Sequence, residues 1–73
     1  MYFVVYEIDG VMDAVGRPAR YTALATSDLD RAVRFFGEAR GELFKQMGPG
    51  TIVVDDYRGI NDHNTLRKER VDE

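Results

Sequence analysis

One stretch of this chain carries an apolar stripe at helical spacing, and most of the remaining apolar residues fall in short strand-like stretches. Leu29, Ala32, Val33, Phe36, Ala39, Leu43, Phe44 and Met47 fall on one side of a helix, the pattern of an element with a single buried face. A single helix can cover one face of a sheet, so the other face needs a different occupant or stays in water. The 73 residues leave room for one small domain, 1–73. There is no cysteine to staple it, and a chain of this size buries only roughly 60% of its unfolded surface. Packing, or a partner, must supply the stability.

Ser27 precedes the stripe and is the expected helix cap, with Asp28 and Asp30 placing negative charge in the first turn, where the helix dipole favours it. Arg31, Arg34, Glu38, Glu42 and Lys45 form the outer face, which mixes both signs. Gly48-Pro49-Gly50 ends the helix.

Aromatic and β-branched residues fill Met1–Asp9, which predicts a strand. Tyr2, Val4, Tyr6 and Ile8 make an apolar face, and Phe3, Val5, Glu7 and Asp9 make a mixed one. Gly10, Gly16 and Pro18 predict a turn or broad loop over 10–19. Second and third strands are expected at Arg20–Thr26 and Thr51–Tyr57. The fold class is therefore α+β, in the order β-β-α-β. It is a three-stranded antiparallel sheet with the first strand central and one amphipathic helix packed on one face. Residues 1–59 form the folded core, and 60–73 read as a polar tail, with a short helix after an Asn64 cap as the alternative.

On the face away from the helix the alternation gathers Phe3, Val5, Leu24, Val53 and Tyr57. Glu7, Asp9 and Asp55 lie among them, Asp13 sits in the loop, and Asp56 points the other way. The stretches 1–16 and 51–57 hold these five carboxylates and no basic residue. An apolar centre with a polar rim is the anatomy of a protein interface. Its occupant is open between the loop or tail, a second copy in a homodimer, and another protein.

Chemistry of other kinds is sparse. With no cysteine, and Ser27 as the one serine, no nucleophile–base–orienter set is visible. His63 is the only histidine and reads as an exposed loop residue. Asp55 and Asp56, as strand neighbours, diverge too far to share an ion. No cofactor, metal or catalytic residue is expected, and the chain reads as a non-enzymatic protein. Arg67, Lys68 and Arg70 form a small basic segment beside Glu69, Asp72 and Glu73, so direct nucleic-acid binding is not expected. The apolar run Tyr2–Tyr6 is too short for a membrane span, and the start shows no charged leader. The expected location is the cytoplasm of a bacterial host. Thirteen acids against ten bases give a net charge of −3. Eight arginines to two lysines fit a GC-rich bacterial or phage gene.

In size, order of elements and acidity, residues 1–57 resemble the small phage-encoded anti-CRISPR inhibitors. That resemblance implies a protein that occupies a basic nucleic-acid-binding surface on a larger effector, such as a CRISPR effector subunit. Glu7, Asp9, Asp13, Asp55 and Asp56 would then stand in for phosphates as a DNA mimic does, with Phe3, Val5 and Tyr57 as apolar anchors. The alternatives are an antitoxin, since the β-β-α start also resembles that fold, and a small dimeric regulatory or ligand-binding domain. For the latter only Glu7, Asp9 and His63 offer chemistry.

Overall fold

A computed structural model describes residues 1–59 and 61–72; Ile60 and Glu73, both within the expected tail, lie outside the described residues. The elements run β1 (Tyr2–Met12), β2 (Pro18–Thr26), α1 (Leu29–Met47), β3 (Gly50–Gly59) and β4 (Asp62–Val71). The sheet order is β2-β1-β3-β4, with every neighbouring pair antiparallel. The α+β class and the central β1 agree with the sequence reading. The strand count does not: the sheet has four strands, and residues 62–71 form one of them instead of a tail.

β4 escapes a pattern search for a physical reason. Asp62, His63, Asn64, Thr65, Leu66, Arg67, Lys68, Glu69 and Arg70 are all exposed, and only Val71 is buried. No face of β4 is apolar, so hydrophobic periodicity carries no signal. Its order comes from the backbone ladder along the free edge of β3 and from side chains that grip elements further away. Arg40 of α1 pairs with Glu69 while lying 5.5 Å over the Phe36 ring, which joins the helix to this strand.

α1 lies against β1, β2 and β3. Val4, Tyr6, Ile52 and Val54 are fully buried beneath Ala32, Phe36 and Leu43. Phe35, Ala39, Phe44 and Met47 pack at the margin of this core, whereas Leu29 is exposed. The helix begins one residue later than expected, so its cap is Asp28 and not Ser27. Asp28 accepts from the amides of Asp30 at 3.0 Å and Arg31 at 3.4 Å. A carboxylate at that point also meets the helix dipole. At the other end Gly48 turns out at φ 76°, its amide donating to the Phe44 carbonyl. The Tyr6 hydroxyl donates to the Gly48 carbonyl at 2.6 Å and pins the helix end to β1. Burial, with the charge of Asp9 second, holds that phenol above its ordinary range and keeps it a donor.

Half of the expected loop 10–19 is strand. β1 continues to Met12, β2 starts at Pro18, and only 13–17 turn. Asp13 builds the turn: its Oδ1 accepts from the amides of Val15 at 3.0 Å and Arg17 at 2.9 Å. A bulge interrupts β2, because Val4 faces Leu24 but Val5 faces Thr22. The surplus residue, Ala23, flips the alternation. Leu24, expected on the uncovered face, instead packs against the helix-side core, and Thr22 takes its place opposite.

Gly50 opens β3 opposite Ile8 of β1. A Cβ there would lie 2.4 Å from the Glu7 carbonyl and 2.7 Å from the Tyr6 ring, so Gly50→Ala should destabilise the fold by about 2 kcal/mol. Gly37 faces open space on the helix, and Gly37→Ala should stabilise by about 0.7 kcal/mol. Urea unfolding of the two variants checks both signs.

Candidate functional site

The face away from α1 is built in cross-strand rows. Arg20, Glu7, Thr51 and Arg70 lie opposite one another across β2, β1, β3 and β4. The next row is Thr22, Val5, Val53 and Lys68, and the third is Ala25, Phe3, Asp55 and Thr65. Tyr57 and His63 close the end. Strand alternation puts all of these on one side of the sheet.

Its apolar centre is partly self-covered. Val5 and Val53 are buried, while Phe3 and Tyr57 are half-buried and form a lip. The Phe3 and Tyr57 rings meet edge to face at 5.0 Å, and His63 stacks on Tyr57 at 4.9 Å. His63 is thus a strand residue with an aromatic neighbour, not a loop residue. Beside the rings lies a hollow of about 340 Å³ lined by Phe3, Val5, Arg20, Thr22 and Tyr57.

The carboxylates do not form a free acidic patch. Asp55 is 2% exposed. Arg20 Nη2 donates to its Oδ2 at 2.9 Å, and Thr65 Oγ1 donates to its Oδ1 at 2.8 Å. Glu7 lies 3.6 Å from Arg20 Nε. Asp9 is gripped by both terminal nitrogens of Arg70, one at 2.7 Å. That hydrogen bonding holds its carboxyl below the ordinary range. Asp13 spends its carboxylate on the β1–β2 turn, where the Arg17 amide is the leading cause of its lowered pKa. Asp56 faces the helix side, as alternation requires, and accepts from Arg58 Nε at 3.2 Å. The structure therefore brings Glu7, Asp9 and Asp55 onto one face, with Asp13 and Asp56 elsewhere, and each of the five is engaged within the chain.

The expectation of a base-free acidic side is corrected by the neighbouring strands. β1 and β3 are base-free over the expected spans, but β2 and β4 flank them with Arg20, Lys68 and Arg70. Arg20 was legible, since a hairpin between the first two strands brings it near Glu7. Thr65, Lys68 and Arg70 were not, because their strand was hidden. The alternative acid–base set also fails to converge. Thr51, opposite Glu7, and Tyr57, opposite His63, are six residues apart on β3, roughly 20 Å along a strand. Among the described residues no group of three or more acidic or histidine side chains is placed to hold a metal ion. No described helix is long and apolar enough to cross a membrane.

Comparison with protein-family models, with curated proteins and with solved structures gives no match for this chain in any of the three.

The Asp9–Arg70 pair gives a pH prediction with a definite sign. A lowered folded-state pKa means that the pair stabilises above the unfolded value of about 4 and that this contribution is lost as pH falls through the folded value. The Asp9 carboxyl should titrate below the ordinary carboxylate range by NMR, and Arg70→Met should return it to that range.

Proposed function

We propose that this chain is a non-enzymatic binding protein that occupies a surface of a larger protein with its uncovered sheet face. The hollow between Phe3, Val5, Thr22 and Tyr57, under Arg20, carries this reading. It is apolar at the centre, rimmed by charges of both signs, and lies on the side without a helix. Interfaces derive most of their energy from such a centre, with aromatic and arginine anchors dominating.

The resemblance to anti-CRISPR inhibitors supplies a candidate partner, a nucleic-acid-binding effector subunit, and inhibition by occupation remains the proposed mode. The internal pairing of Glu7, Asp9 and Asp55 shifts the expected contacts. A carboxylate already held by arginine must break that pair before it can stand in for a phosphate. We therefore place the docking energy on Phe3 and Tyr57, with the carboxylates as rim.

Capture from a bacterial extract on the immobilised protein tests this. Phe3→Lys and Tyr57→Lys, each checked for retained fold by circular dichroism, should lose the partner that the parent chain captures, by about tenfold or more in affinity. Glu7→Lys should bind within about threefold of the parent. Raising salt from 50 to 500 mM should change affinity by less than about threefold, since an apolar contact is little screened. Loss of binding in Glu7→Lys with retention in Phe3→Lys would restore the acidic-surface reading and refute this one.

A further inference from the structure

The sheet has two edges, and they are defended unequally. Each edge strand has one bulge, at Ala23 in β2 and at Leu66 in β4, but β4 also carries Asp62, Arg67, Lys68, Glu69 and Arg70 along its length, charges by which an edge strand resists pairing with another chain. Along β2, Tyr21-Thr22-Ala23-Leu24-Ala25-Thr26 holds no charge. Among the described residues no strand lies along its outer backbone groups. Arg20 is the one charge on this strand, and an edge so nearly free of charge invites a further strand.

Tyr21 is half exposed on this edge. It borders a second hollow of about 280 Å³, between β2 and α1, lined by Ala23, Phe35, Ala39 and Leu43 with Glu42 and Gln46 at the mouth. A large aromatic side chain and an apolar recess thus sit side by side on one edge. A two-fold interface needs a patch that fits itself in this way.

We propose that the chain forms a homodimer by antiparallel pairing of β2 with β2 of a second copy, giving a continuous eight-stranded sheet. The two-fold lies at Thr22. Thr22 then faces Thr22 of the second copy, a favourable cross-strand pair. Tyr21 faces Ala23 of the second copy, and its ring lies over the hollow that Ala23 lines. The small alanine at that position leaves room for the ring, and the exchange is reciprocal. This proposal goes beyond the docking reading and uses a different surface, the sheet edge and its helix side.

Crosslinking tests the register directly, because the chain has no cysteine of its own. Directly opposed residues of an antiparallel pair have Cα atoms about 4.5–5.5 Å apart, within disulfide range. Thr22→Cys should form a disulfide-linked dimer under mild oxidation. Lys68→Cys, at the β4 end of the same cross-strand row, should crosslink at least about tenfold more slowly. Light scattering should give twice the 8.3 kDa chain mass. Tyr21→Lys should weaken the dimer at least tenfold and Phe3→Lys should leave it intact, so that failure of the dimer and failure of the docking face read out separately. A concentration-independent monomer overturns the proposal. So does crosslinking of Lys68→Cys as fast as Thr22→Cys, or a dimer broken by Phe3→Lys and not by Tyr21→Lys.

Discussion

The Asp55 carboxylate ties the sheet together across its uncovered face. It belongs to β3, its two oxygens are taken by Arg20 of β2 and Thr65 of β4, and β1 lies between β2 and β3. One buried acid therefore links the two outer strands through the two inner ones. A carboxylate this far from water needs such partners. The helix secures the opposite face by ordinary apolar packing. The two faces are held by different physics, and only the helix face is a hydrophobic core throughout.

That difference explains what the sequence revealed. Period-two apolar residues in β1 and β3, and the 3.6-residue stripe of α1, record burial against each other, so those elements and their faces were legible. β4 is ordered by a backbone ladder and by polar partners distant in sequence: Thr65 with Asp55, Arg70 with Asp9, Glu69 with Arg40. None of these leaves a local period. The bulge at Ala23 was invisible for a related reason, since one surplus residue alters no composition yet moves Leu24 to the other face. Ser27 and Asp28 are both good caps, and the helix start, not residue preference, decides between them.

The same hidden strand changes the electrostatic reading. Charge counted along β1 and β3 is acidic, but charge counted over the folded face is mixed, because β2 and β4 contribute arginine and lysine opposite the acids. Four of the five carboxylates sit where alternation put them, and Asp13 lies in the turn between β1 and β2. Their chemistry differs because each has a partner. What the face offers an incoming protein is the apolar lip of Phe3 and Tyr57 and the hollow beside it, framed by pairs that keep the strands in place.

The most direct measurement is a double-mutant cycle between Arg20 and Asp55, using Arg20→Ala, Asp55→Asn and the combined variant in urea unfolding. Arg20 is 41% exposed at its side chain and Asp55 3%, so the coupling should fall below that of a fully buried pair. It should still reach about 1.5 kcal/mol. A coupling below about 0.3 kcal/mol, the level of an incidental surface pair, would show Asp55 to be free for a partner and would contradict this account.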